Sequence, residues 1–282
     1  PLHAWLHAAT PAGRVAGGGV LRPNLHVATG LESPELLEAF LPRRLVTYFG
    51  ALNRSGDART LMYLVQPTAD PLWLDLANVG WLLARPDGDP PGLGPLLAAH
   101  PDRFERAAEL EGVAVYRNRA ALPRTWVAYD AAFVPIDADG RGAAAAVAAL
   151  GPAARWKLVI ETVGGQAPAG WTPDPQAAPT KAAVVRRAPN EVVVVADLHR
   201  PGWLFLADAW YPGWAATVDG AESPILAADA TFRAVLLPAG RHEVAFSYAP
   251  AVVTWSGAAS GLTLLGCAGL LARRRRRPEA QA

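Results

Sequence analysis

Residues 241–248, RHEVAFSY, alternate strictly: His242, Val244, Phe246 and Tyr248 fall on one side of an extended chain, and Arg241, Glu243, Ala245 and Ser247 on the other. The first set predicts a core face, with His242 at the strand's end acting as a turn-capping group. β-Branched or apolar runs precede it at Lys157 to Thr162, Ala182 to Arg187, Glu191 to Leu198, Leu204 to Trp210, Ala215 to Val218, Pro224 to Ala227 and Thr231 to Leu237. Short strands at this spacing, separated by Pro, Gly and Asn, predict an antiparallel β-sandwich. Asp219-Gly220 suits a two-residue hairpin, and Pro238-Ala239-Gly240 a second turn. Tyr211-Pro212-Gly213-Trp214 predicts a corner whose two aromatics pin it to the core.

The pattern upstream is different. Ser33-Pro34-Glu35 opens a helix by its capping preferences, with Leu36, Leu37, Phe40 and Leu41 as its apolar face. A second helix is expected from Arg43 to Asn53, and a short helix leading into a strand over Leu72 to Ala84. Phe104 to Leu110, Val113 to Tyr116 and Thr125 to Tyr129 read as strands, and residues 141–150 as an alanine-rich helix stopped by Gly151-Pro152. The fold class expected is α+β. A mixed α/β region covers 1–120, a β-sandwich 121–250, a transmembrane helix 251–272 and a basic tail 273–282.

The transmembrane expectation rests on AVVTWSGAASGLTLLGCAGLLA, residues 251–272, which carry no charge. As a helix this segment would be about 33 Å long, enough to cross a hydrocarbon core of about 30 Å. Arg273 to Arg277 follow directly, which predicts a cytoplasmic tail and an extracytoplasmic position for residues 1–250. Gly257 and Gly261, four apart, predict close packing against other membrane helices. Cys267 lies in the span and is expected to be inert.

Charge and chemistry narrow the function. The net charge is +1, of which the Arg273–Arg277 run with Glu279 supplies +4, so the rest of the chain carries −3. A slightly acidic body argues against nucleic acid as a partner. One cysteine excludes an internal disulfide. Gly17-Gly18-Gly19 lacks the GK[ST] of a phosphate loop, and Asp137-Ala138-Asp139-Gly140 lacks the later ligands of a calcium loop, so both read as turns. His3 and His7 read as a surface pair, and Asp197 and His199 share a strand face without a serine or third ligand. No catalytic residue, metal site or cofactor is evident.

DAWYPGWAATVDG (208–220), FRAVLLPAGRHEVAFSYAP (232–250) and the glycine- and serine-bearing final segment together resemble the YfhO family of bacterial multi-spanning membrane proteins. These are similar to GT-C-type glycosyltransferases. LRPNLHVATGLES (21–33), LANVGWLLA (76–84) and VYRNRAALPRTWV (115–127) resemble that family's blocks in order, with Trp81 standing where its pattern has tyrosine. The resemblance implies an extracytoplasmic region and last helix that belong with a larger N-terminal membrane bundle. It also implies a polyprenyl-phosphate-linked sugar as donor and a cell-envelope polymer as acceptor. The family's catalytic carboxylate lies in an early exterior loop that has no counterpart here.

On that resemblance, Asp208, Tyr211 and Trp214 are the candidate substrate contacts: a carboxylate for sugar hydroxyls and two aromatic faces for stacking. The expected role is acceptor binding or closure of the active site. The alternatives are a non-catalytic module that stabilises the bundle or docks a partner glycosyltransferase, and a transporter accessory.

Overall fold

The computed structural model describes residues 2–9, 13–17, 20, 29–35, 42–53, 67, 70–85, 93–250, 260 and 262–268. The fold is mixed α/β, dominated by a large curled sheet. In chain order its elements are α1 (Leu2–Ala9), β1 (Arg14–Ala16), α2 (Arg43–Leu52), α3 (Leu72–Leu76), β2 (Val79–Ala84), α4 (Leu93–Ala99), β3 (Phe104–Leu110), β4 (Val113–Asn118), β5 (Thr125–Ala128) and β6 (Asp130–Pro135). There follow α5 (Arg141–Leu150), β7 (Lys157–Thr162), β8 (Thr180–Ala188), β9 (Glu191–Leu198), β10 (Gly202–Leu206), β11 (Trp214–Val218), β12 (Ala221–Ser223), β13 (Leu226–Ala228), β14 (Phe232–Leu237) and β15 (Gly240–Tyr248).

Strands β1-β2-β4-β3 form a small sheet of 4 strands, and the other 11 form one sheet in the order β12-β11-β15-β9-β8-β5-β10-β14-β13-β7-β6. This corrects the expected antiparallel sandwich in two respects. The two layers are halves of a single sheet that curls upon itself. The edge pair β6–β7 is parallel, with Asp130 opposite Lys157 and Pro135 opposite Thr162. A parallel pair needs a crossover, and α5, the alanine-rich helix, supplies it. Val127 and Tyr129, Leu204 and Leu206, and Val235 and Leu237 meet Val192, Val194, Val244 and Phe246 from the other half in one core.

Strands β5, β10 and β14 are buried on both faces. Their alternate residues, Trp126 and Ala128, Trp203 and Phe205, and Phe232 and Ala234, turn outward into a second core shared with Tyr48, Leu74, Val147 and Ile160. That is why GWLFL reads as an unbroken apolar run: every residue of β10 is buried. The second core draws side chains from both sides of residue 120. Gly202 is required where β10 meets β5, since a Cβ there would lie 2.5 Å from Val127 Cγ1. The two halves of the large sheet join through Trp126↔Lys181 and Val127↔Thr180, the register of β5 on β8.

Several charged groups inside the fold are paired. Arg44, 5% exposed, is held to Glu161, 1% exposed, with Nη2 2.7 Å from Oε2, and it also donates to the Ala230 carbonyl at 3.0 Å. Asp75 receives Asn118 Nδ2 at 2.8 Å and the guanidiniums of Arg103 and Arg155. Asp137 caps the start of α5 by accepting Arg141 N at 2.8 Å, so the Asp-rich turn serves a helix end. Asp219 and Gly220 have φ 52° and 84°, as a two-residue hairpin with both central residues left-handed requires. Asp219 Oδ2 lies 2.6 Å from His242 Nδ1, so His242 fastens this hairpin to β15.

Other expectations shift or fall outside what is described. The strand expected at Leu204 to Trp210 ends at Leu206, and Thr125 to Tyr129 is followed by a separate strand, β6. Gly13 and Gly17 flank a real strand, β1, which pairs in parallel with β2. The helix expected to begin at Ser33 lies mostly outside the described residues, although Ser33 Oγ does accept Glu35 N at 3.0 Å. Gly257 and Gly261 also lie outside them. Residues 262–268 are helical, with Leu262, Leu264 and Leu265 each 71% exposed, and Cys267 is exposed. Among the described residues no helix is long and apolar enough to cross a membrane.

One buried acid is left half-satisfied. Asp229 Oδ1 accepts Val159 N at 2.8 Å, while Oδ2 has no partner. Burial raises this carboxyl from 3.8 to about 7, against the pull of the Val159 N–H. Between those values the folded protein keeps a proton that the unfolded chain releases, so stability falls as pH rises through that window and levels off above it. Urea denaturation from pH 5 to 8 is expected to show a decline of up to about 1.4 kcal/mol per pH unit, which Asp229→Asn abolishes. An unchanged slope in the variant would remove Asp229 as its cause.

Candidate functional site

At one end of the curled sheet the ends of several elements converge. Arg124 precedes β5, Asp208 follows β10, Arg233 sits in β14 opposite Leu206, and Arg187 lies near the end of β8. Arg233 shares a face with Val235 and Leu237, which points it toward the space between the sheet halves. Arg14, which begins β1, and Glu32, from the segment 29–35, complete the group. Together these six line a cleft of about 730 Å³.

Asp208 is its centre. Its Oδ1 accepts Arg14 Nη2 at 2.7 Å and Arg124 Nη2 at 2.6 Å. The backbone supports this position, with Ala207 N donating to Arg124 O at 2.8 Å. This also explains why β10 stops early: beyond Leu206 the chain leaves the apolar layer to bring a carboxylate to the arginines. Glu32 pairs with Arg124 and Arg187 and lies 4.0 Å from Arg14 Nε. Arg233 donates from Nε and Nη2 to the Ala209 carbonyl at 3.0 and 2.8 Å, and its guanidinium stacks 3.7 Å from the Trp214 ring centroid.

Among the described residues the charges do not balance, for four guanidinium groups face two carboxylates. Burial lowers Arg14 to about 10, opposed by Asp208 and reinforced by Arg124 and Arg187. Burial likewise lowers Arg233 to about 10, against Asp208. For Asp208, burial acts to raise the carboxyl, but Arg14 and Arg124 outweigh it and hold it below the ordinary carboxylate range.

A second cleft, about 540 Å³, opens on the other side of the corner. Trp210, Tyr211, Trp214 and Glu222 line it. Trp214 therefore forms a wall of both clefts. The corner takes its shape from Gly213, whose φ is 101°, with Trp214 N facing Tyr211 O at 3.4 Å. Ala249 N donates to Gly213 O at 3.0 Å, and the Trp214 and Tyr248 rings lie 5.3 Å apart.

Of the three residues expected at a substrate site, Asp208 and Trp214 line the first cleft, and Tyr211 and Trp214 the second. Tyr211 does not pin the corner to the core, since it is 47% exposed. Trp214, Gly213 and Tyr248 do that work through stacking and backbone bonds, which leaves the Tyr211 ring displayed. Asp208 is engaged by arginines. None of the four arginines was singled out by sequence; they lie far apart in the chain and form no motif. The available signal was Arg233, a charge inside the apolar run FRAVLL. The His3 and His7 rings lie 4.7 Å apart, and His199 Nδ1 lies 3.3 Å from Tyr129 Oη. Among the described residues no three metal-ligating side chains gather.

No protein family, curated protein or solved structure was found to match this chain.

Replacing Asp208 by Asn would leave Glu32 as the sole carboxylate among the four guanidiniums of the described residues. A cost of about 3–5 kcal/mol is expected in urea denaturation at pH 7, as for a buried pair broken on one side. Because the folded carboxyl titrates below its ordinary value, the wild type holds this contribution above 3.8 and loses it as pH falls through the lowered value. The difference between wild type and variant should therefore shrink in acid. A constant difference down to pH 2 would contradict this account.

Proposed function

We propose that this chain is the extracytoplasmic portion and last membrane segment of a multi-spanning bacterial membrane protein resembling lipid-linked-sugar-dependent glycosyltransferases. Its part is to bind the glycan acceptor beside the reaction centre. The observation that carries the acceptor role is the second cleft, where the half-exposed Tyr211 ring stands beside Trp210, Trp214 and Glu222. An aromatic face stacks on the apolar face of a sugar ring, and a carboxylate beside it accepts hydroxyl hydrogen bonds. The donor in this reading is a polyprenyl-phosphate-linked sugar. The partners are the bilayer, the remaining membrane helices of the parent protein and an envelope polymer. Support for the membrane segment comes from the uncharged stretch 251–272, the arginine run after it and the exposed leucines of 262–268.

Tyr211→Ala tests the reading, because an exposed ring at a corner carries little of the fold. In the full-length parent protein, transfer of sugar to the envelope acceptor is expected to fall about tenfold or more, equivalent to about 1.4 kcal/mol of lost binding, with a melting temperature within about 1 °C of wild type. Undiminished transfer would favour instead a module that docks a partner glycosyltransferase or steadies the bundle.

A further inference from the structure

The arginine cleft is a second site, chemically unlike the aromatic one. Three observations converge on it. Among the described residues its four guanidiniums exceed its two carboxylates, so two positive charges there lack an internal counter-ion. Arg233 is 3% exposed and leaves Nη1 without an acceptor, as Arg124 leaves Nε. Buried donors without acceptors are costly, and more so when charged. The cleft is also open and roomy: 730 Å³ lies within the range of pockets that enclose small organic ligands.

We propose that this cleft binds a phosphomonoester carried on a sugar-sized group. Charge selects the anion. A phosphomonoester brings a charge near −2 at neutral pH and several strong acceptor oxygens, matching the excess, whereas a carboxylate brings only −1. Geometry agrees, because guanidinium forks pair with phosphate through parallel hydrogen bonds. Shape selects the rest of the ligand. Leu31, Val192 and Trp214 supply an apolar wall, and the volume exceeds what a bare phosphate fills. Asp208 is the fixed internal counter-ion, with 12% side-chain exposure and bonds to Arg14 and Arg124. Glu32, at 28%, is the outer carboxylate and so the competitor that an incoming phosphate meets.

The experiment is calorimetric titration of the full chain in detergent micelles with glucose 1-phosphate, inorganic phosphate, glucuronate and glucose. Glucose 1-phosphate is expected to bind, inorganic phosphate to compete with it, glucuronate to bind about tenfold more weakly or worse, and glucose not at all. Affinity should fall between low and high salt. Arg187→Gln, at a side chain 45% exposed, should weaken binding by about tenfold without altering the melting temperature, while Glu32→Gln, which removes the competitor, should tighten it by about threefold or more. Absence of glucose 1-phosphate binding would overturn the proposal, as would equal affinity for glucuronate, or wild-type affinity in both variants. The site is independent of the acceptor reading: Tyr211→Ala should leave phosphate binding unchanged, so either reading can fail alone.

Discussion

Burial of β5, β10 and β14 on both faces is the constraint from which the rest of this structure follows. A strand with apolar layers on each side has no face left for charge, so polar groups are driven to its ends. Arg124, Thr125, Asp208 and Arg233 all lie at the same end of this three-strand block, where Leu206 meets Thr125 on one side and Arg233 on the other. The cleft is thus a product of the core. The layers that exclude water from Trp203 and Phe205 also deprive Arg233 of it, which makes it costly for that guanidinium to share Asp208 with other arginines.

The fold treats its buried charges in different ways. Arg44 and Glu161 form a closed, balanced pair that holds α2 against β7 and leaves neither group seeking a further partner. Asp75 has two guanidiniums, but Arg103 and Arg155 keep 21% and 28% side-chain exposure, so both side chains still reach the surface. Among the described residues, only in the cleft does an excess of positive charge coincide with an arginine as fully buried as Arg233, 3% exposed. The first two arrangements hold elements together. The third leaves an interaction open, and the aromatic wall of Trp214 sets it next to a surface suited to sugar.

Much of the strand pattern was legible because alternation and turn residues have local causes. The hairpin at Asp219-Gly220, the face of Val244 and Phe246, and the crossover helix of alanines are fixed within a few residues of chain. The curl of one sheet into two layers was not legible, since it depends on how β5 meets β8 across more than fifty residues. β6 was hidden because Asp130 interrupts the apolar run, and β1 because three residues between glycines carry too little pattern. The corner of Tyr211 to Trp214 was recognisable, yet which aromatic faces water depended on Tyr248, at the end of β15, stacking on Trp214 and on Ala249 bonding to Gly213. The arginines were invisible as a group, because only the fold brings positions 14, 124, 187 and 233 together.

The narrow junction between β5 and β8 has a mechanical meaning. The ladder closes at Val127↔Thr180 and Trp126↔Lys181, and from there one strand runs back toward Arg124 while the other runs on toward Arg187. The sheet is therefore zipped at one end and parted at the other, like a book held by a short stretch of spine. Behind that opening the covers are held together by the side-chain core they share. The separation of Arg124 from Arg187 sets the width of the charged mouth, and Glu32, paired with both, is the clasp across it.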